Sequence, residues 1–460
     1  MPTADHALAP PPASAPPLLT PLASAARRAA PVLPVVAVVA LLALPVPSGG
    51  SGDGPQITVA DVASGLVVAL CVLTAVRSAR RPLTRAAALL FGLPVVGVTV
   101  AACAAPTGGA ALAGAARYLQ VFVLVPLAVL SLLRDGRDVR VVAWAFVGLA
   151  GWQGGLGVHQ YVTGTGASYM GEDIRAVGTF GPTDVMGMAT VVSFGLVCAL
   201  SLAFRDGAPR QRAAAITCAV LLLVPLALSF SRGAWIATAA ACGAVLVLSG
   251  VQRALRVLLA ATAAAVVLVG GFGVGSQMLQ QRLGSITDVA DAPDQSVTDR
   301  YTMWAASLDM WRERPLTGVG LKGFPEYRDS HASVALSSGS DTAGAGHGFA
   351  RQPLLSPHNM YLLILSEQGL LGLCALTGCW VGLLVCGLRR WARTRALPVT
   401  APGDRLDCAL LACGLLVWQL VDFLYADIGG PSTVLTAVVL GVAAWWGVGD
   451  HTRRREVPTP

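Results

Sequence analysis

Charge is scarce in this chain. Only 12% of its 460 residues are Asp, Glu, Lys or Arg, while 55% are hydrophobic. A soluble domain carries about twice that charged share, so the soluble classes are excluded before any segment is drawn. Lysine is nearly absent: Lys322 is the one lysine among 32 Lys and Arg residues, the pattern of a GC-rich coding sequence. Cysteine is missing from the polar loops. All ten cysteines, Cys71, Cys198, Cys242, Cys379 and Cys413 among them, fall inside apolar stretches, and none has ligand spacing to a histidine. That argues against disulfides and structural zinc and for small packing residues. The acidic residues offer no strong metal site: Asp288, Asp291 and Asp294 are spaced around a proline and read as a solvated loop. No metal and no cofactor are expected.

What is present is apolar length. About twelve stretches reach the roughly 17–25 residues that a membrane-spanning helix needs. They run near 29–47, 57–76, 86–105, 112–133, 141–158, 182–204, 213–230, 234–250, 256–276, 359–388, 406–426 and 431–449. The expected fold class is an all-α polytopic membrane protein. Arginines collect at alternate connections, at Arg27/Arg28, Arg77 to Arg85, Arg134 to Arg140, Arg205 to Arg212, Arg253/Arg256, Arg389 to Arg395 and Arg453 to Arg455. The short connections between them, 48–56 and 105–109, carry none. This positive-inside alternation puts both termini in the cytoplasm and the protein in the cytoplasmic membrane. The net charge of +7 is therefore a topology signal and no argument for a nucleic-acid partner. Residues 1–28 are rich in Ala and Pro and read as a disordered cytoplasmic tail. The first apolar run lacks a convincing cleavage site and reads as a retained anchor. Spans one to nine occupy 29–276, spans ten to twelve 358–449, and 450–460 form a second cytoplasmic tail.

On this topology three sites face outward: 159–182, the tight turn 229–233, and a loop of about 80 residues, 277–357, between spans nine and ten. A membrane protein rarely keeps one large loop without a use for it. Tyr301, Trp304, Leu308 and Trp311 recur at helical spacing, Ser296 and Asp299 resemble a capping box, and Pro315 is a stop. The reading is an amphipathic helix, its aromatic face on the outer leaflet or on the spans. Gly318 to Gly323 then turn the chain, and 330–352 read as a mobile flap.

Several outward residues carry chemistry. His358 opens the tenth span, and a neutral imidazole there is the best candidate base for a hydroxyl proton. Arg232 lies in Ser-Arg-Gly between two apolar spans, where a guanidinium needs an anion or a route to the surface. Arg175, Arg300 and Arg117 are further outward cations; Tyr361 shares a face with His358, and Trp304 lies on the amphipathic helix. Forked guanidiniums suit a diphosphate, which they hold bidentately. Asp422 and Tyr425 are candidates for orienting the histidine. Glu367, about half a helical turn out of phase with His358 and deeper, is expected to pack against another span.

Ser231-Arg-Gly-Ala-Trp235, Arg300-Tyr-Thr-Met-Trp304 running to Arg314-Pro-Leu-Thr-Gly318-Val-Gly320, and His358-Asn-Met-Tyr361 running to Ser366-Glu-Gln-Gly369-Leu-Leu-Gly372 together resemble the O-antigen ligase and polymerase family of bacterial membrane glycosyltransferases. The resemblance implies a GT-C-like helical fold and transfer of a glycan from an undecaprenyl-diphosphate-linked oligosaccharide to a hydroxyl on a glycan or lipid-glycan acceptor, with inversion, without a metal, and in cell-surface polysaccharide biosynthesis. It maps the family's functional residues onto Arg175, Arg232 and His358, with Arg300, Arg117, Tyr361 and Trp304 as substrate-binding candidates. One departure is Gly181-Pro-Thr-Asp184, where relatives often have Pro-Asn. The rival classes are a transporter or flippase for a lipid-linked sugar and a non-catalytic membrane scaffold. Transporters often repeat a six-span half, and no such repeat is evident here.

Overall fold

Helix starts follow their caps. Asp135, in extended backbone, accepts from the backbone N–H groups of Arg137 (2.9 Å) and Asp138 (3.1 Å), and Thr84 accepts from that of Ala87 (3.1 Å). Each satisfies donors that the first helical turn leaves orphaned. The computed structural model describes residues 31–45, 58–78, 83–105, 108–169, 173–180, 184, 186–205, 209–252, 254–255, 295–337, 340–344, 347–352, 354–396 and 406–450. The expected ninth span, 256–276, and both tails lie outside these residues.

The helices are α1 (Leu33–Leu41), α2 (Val59–Ser78), α3 (Arg85–Cys103), α4 (Gly108–Leu132), α5 (Gly136–Thr163), α6 (Gly187–Ala203), α7 (Pro209–Leu228), α8 (Arg232–Ser249), α9 (Gln295–Glu313), α10 (Phe324–His331), α11 (Met360–Ala396), α12 (Leu406–Asp422) and α13 (Thr433–Val448). Seven of them, α2, α3, α4, α5, α7, α8 and α11, are long and apolar enough to cross a bilayer. The chain is a multi-pass, predominantly helical membrane protein. The shorter apolar helices α6 and α13 are buried on nearly every side and form the centre. A helix apolar all round belongs there. Helix α6 packs on α5, α7, α8 and α12, and α13 packs on α4, α11 and α12.

Three polar features shape the bundle. Arg140, counted above among the topological arginines, is buried and paired through Nε (2.6 Å) and a second nitrogen (3.1 Å) with Asp407 of α12. A forked, bidentate pair is the geometry in which a buried guanidinium is tolerated. In α4 a π-turn at Gln120–Leu124 precedes Pro126, as expected where a proline withdraws a backbone donor from a helix interior.

The third is a break in α11. Gly369 has φ 63° and ψ −164°, far from helical values. The segment 315–321 is seated in the gap. The N–H groups of Val319 and Gly320 donate to the carbonyls of Ser366 (2.8 Å) and Glu367 (3.1 Å), and those of Leu370 and Leu371 donate to Pro315 (2.9 Å) and Leu316 (3.2 Å). Backbone freed from a helix inside a membrane must be satisfied by protein, and here the loop supplies the partners. Two of the segments behind the family resemblance are thus halves of one splice. Glu367, expected to pack against another span, instead accepts from the backbone N–H of Phe324 (3.3 Å) just beyond this segment.

One expectation about the loops gains detail and another changes. Helix α9 falls where the spacing predicts, but its buried stripe is Met303, Ala306, Ser307 and Met310, while Tyr301 is 59% exposed. Small and flexible side chains let α9 approach α11 closely, and the aromatic stripe is left at the margin. The segment read as a mobile flap, 330–352, begins in the last residues of α10 and contains two strands, β3 (Ser340–Gly344) and β4 (His347–Gln352). With β1 (Ala167–Tyr169) and β2 (Asp173–Arg175) they form one antiparallel sheet in the order β2-β1-β3-β4, with Ser168 opposite Ala343. Two loop segments separated by some 170 residues are joined in this way.

Candidate active site

The turn between α12 and α13, Phe423 to Ser432, is the meeting point of the candidate residues. It receives the start of α11 first. The Met360 N–H donates to the carbonyls of Phe423 (2.8 Å) and Ala426 (3.1 Å), and the Asn359 side-chain amide donates to Leu424 (3.1 Å). Asn359 also caps α11, its Oδ1 accepting from the Leu362 N–H at 3.1 Å. These bonds hold His358 in left-handed backbone, φ 49°. Strain of that kind in a residue other than glycine persists only where its surroundings over-determine it, and it gathers at functional sites.

The imidazole is exposed, yet protein surrounds it closely enough that burial pushes its pKa below the ordinary histidine value. The carboxylate of Asp427, in the same turn, opposes the shift, and the guanidinium of Arg300 on α9 reinforces it. His358 is therefore neutral at neutral pH and fit to accept a proton. If it is the base, kcat/KM falls on the acid side as the ring charges. Asp427→Asn removes the group that favours imidazolium and should move this acid limb to lower pH. Arg300→Gln should move it to higher pH. A pH–rate profile of the two variants checks the opposed signs.

Arg232 reaches the same turn from α8. Ser231 caps that helix, accepting from the Ala234 N–H at 3.3 Å, and a Cβ on Gly233 would lie 2.8 Å from the Cβ of Tyr425. The glycine lets the helix start approach the turn. Arg232 is exposed, and among the described residues no carboxylate pairs with it. Phe230, two residues earlier, is another residue in left-handed backbone, φ 49°.

Arg175 is placed by its backbone alone, on β2 opposite Ala167. The next residue, Ala176, donates its N–H to Leu228 (3.4 Å), three residues before Ser231, so the Arg175 and Arg232 segments adjoin. The side-chain amides of Gln153 and Gln160 on α5 clasp 177–179 through bonds of 2.6–3.1 Å. Asp184, the position of the Pro-Asn departure, accepts from the Ser432 N–H (3.1 Å) and hydroxyl (2.7 Å). Burial pushes its carboxyl up, and the Ser432 donors oppose this. An asparagine oxygen would accept the same bonds, so the departure leaves the contact intact.

Trp304 donates its indole N–H to the Pro357 carbonyl at 2.9 Å, tying α9 to the residue before His358. His358, Arg300, Trp304 and Arg232 are thus gathered around one turn. Tyr361 and Arg117 have other partners. The Tyr361 hydroxyl donates to Leu420 (2.7 Å), its ring packed against Trp380 and Phe423. Arg117 pairs with Asp61 on α2, and Gln120 bonds Ser64 at 2.8 Å beside it. Of the two residues proposed to orient the histidine, Tyr425 packs on Gly233, while the electrostatic partner is Asp427. Asp427 was missed. The available signal was an acid in an Asp-Ile-Gly-Gly-Pro turn directly after a span.

Residues 217–377 match a family model described as O-Antigen ligase. Over these residues, about a third of the chain, it is similar to the O-antigen ligase family. The match runs from α7 to the middle of α11 and so includes Arg232, Arg300, Trp304, the 315–321 splice and His358. No curated protein matches the chain. Asp427 and Arg175 lie outside the matched residues, and the structure brings the Asp427 turn to the matched segment through Asn359, Met360 and Gly233.

Proposed function

We propose that the protein is a membrane glycosyltransferase of the O-antigen ligase or polymerase type, working on the outer face of the cytoplasmic membrane with both termini inside. The donor is an undecaprenyl-diphosphate-linked glycan, and the acceptor is a hydroxyl on a second glycan or lipid-glycan. His358 takes the hydroxyl proton as the acceptor oxygen attacks the anomeric carbon from the face opposite the diphosphate. The new glycosidic C–O bond forms, the bond to the diphosphate oxygen breaks, and its electron pair leaves on that oxygen. The carbon is inverted. Arg232, Arg300 and Arg175 hold the departing charge, a role guanidiniums fill without a metal.

The observation that supports this reading is the pairing of opposite roles around one turn: a histidine whose pKa burial lowers, and an exposed arginine with no carboxylate partner among the described residues. Reconstitution with the lipid-linked oligosaccharide as sole substrate tests it. A ladder of repeats with released carrier diphosphate establishes a polymerase. Transfer only when a cell-envelope acceptor is added establishes a ligase, and no transfer under either condition refutes the reading.

Arg232→Ala should lower kcat by about tenfold to a hundredfold, the loss of one charge-assisted contact of about 1.5–3 kcal/mol to the leaving group. Arg232→Lys should restore only part of it, since an ammonium cannot fork. Released carrier diphosphate per unit time is the readout.

A further inference from the structure

The N-terminal end of the aromatic stripe of α9 stays clear of the bundle. Helix α9 meets the bundle through Met303, Ala306 and Met310, all fully buried, and leaves Tyr301 59% exposed. The ring of Tyr301 is nonetheless fixed. It stands against Trp304 with centroids 5.6 Å apart and planes at 81°, and Trp304 is itself pinned to Pro357 at 2.9 Å. Edge-to-face contact steadies one ring against the other and leaves aromatic faces free. The preceding residue, Arg300, acts on His358. An immobilised, exposed aromatic ring therefore stands one aromatic neighbour away from the residue before the candidate base.

We propose that Tyr301 is the stacking platform for a sugar ring of the acceptor glycan, setting which pyranose presents its hydroxyl to His358. The proposal rests on the glycosyltransferase reading above and adds an acceptor subsite to it. The apolar C–H face of a pyranose is a partner for a rigid ring, and a platform with little side-chain freedom binds at low entropic cost. Position favours this occupant over lipid headgroups: the ring is joined to the candidate base through Trp304 on one side and Arg300 on the other.

Binding is measured apart from turnover with full-length His358→Ala protein in nanodiscs, applied to an array of free bacterial surface oligosaccharides. The expected result is binding of at least one pyranoside oligosaccharide. Adding Tyr301→Ala should weaken this about threefold to tenfold, as loss of one aromatic stack implies, whereas adding Tyr301→Phe should leave it unchanged. In the otherwise native enzyme Tyr301→Ala should raise the acceptor KM by the same factor and leave the donor KM unchanged. An unchanged acceptor affinity in Tyr301→Ala overturns the proposal, and if the loss is confined to retention in the bilayer, the ring is a headgroup anchor. Absence of any oligosaccharide binding by the His358→Ala protein overturns it as well. Failure of the native enzyme to transfer glycan, with Tyr301-dependent binding intact, would refute the glycosyltransferase reading and leave the sugar platform standing.

Discussion

Replacing His358 with alanine should reduce glycan transfer by about a hundredfold to ten-thousandfold, the range over which a positioned general base acts. The magnitude follows from the role proposed for the residue. Its imidazole is held near neutrality by burial, and Asp427 and Arg300 act on it with opposite signs. Its backbone is fixed in left-handed geometry by Asn359 and the α12–α13 turn. Alanine keeps none of the proton-accepting capacity and finds left-handed backbone no easier than histidine does. His358→Asn is the sharper companion, because asparagine tolerates positive φ better than most residues. If both variants lose transfer while accumulating and melting like the native protein, the loss is chemical. Transfer by His358→Asn within a few fold of native would show that the imidazole is not the base. The pH profile separates the cases further. For the native enzyme the acid limb lies below the ordinary histidine value of about 6.5, because burial disfavours the charged ring.

Much of this site was legible in the sequence, for identifiable reasons. Helix α9 could be placed because Pro315 ends it and its apolar residues recur at 3.6-residue spacing. His358 and Arg232 stood out because an ionisable residue at the edge of a long apolar run is costly without a function. What escaped were relations between distant segments. Nothing local in Pro315 to Leu321 announces that its carbonyls and N–H groups complete a helix fifty residues away. The four-stranded sheet escaped because three- to six-residue strands rich in Ser, Gly and Ala carry no alternation to read. The face by which α9 packs on the bundle was not legible, because aromatic residues outweigh Met303, Ala306 and Met310 in any apolar count, while close helix approach favours the smaller and more flexible set. Arg117 was a solvable case. A guanidinium within an apolar run calls for an anion, and Asp61, an acid inside the second apolar stretch, was available to provide one.

The largest structural effect is expected at Gly369. A Cβ added there would lie 2.4 Å from both the carbonyl carbon and oxygen of Leu316 and 2.6 Å from the Thr317 nitrogen, all backbone atoms. No rotamer change relieves such a clash, and the φ of 63° with ψ of −164° is itself open to little besides glycine. Gly318, facing it with φ 67°, is as constrained, 2.5 Å from the Glu367 carbonyl carbon and the Ser366 oxygen. Gly369→Ala must therefore expel the 315–321 segment from the break. Four loop-to-helix backbone hydrogen bonds go with it, and the freed groups lie in a helix apolar enough to cross a membrane. Unsatisfied backbone in that setting costs several kcal/mol per group, against a total stability of about 5–15 kcal/mol for a typical protein. The expected outcome is loss of monodisperse protein on size-exclusion chromatography in detergent. Gly378→Ala in the same helix is the control: its nearest neighbour is the Leu93 Cδ1 at 3.8 Å, an ordinary contact, so it should elute and melt as the native protein does. If Gly369→Ala behaves like Gly378→Ala, the loop is not seated in the helix break. The tie that carries α9, and with it Arg300 and Trp304, to the helix opened by His358 would then rest on the packing of α9 against α11 and on the Trp304–Pro357 contact.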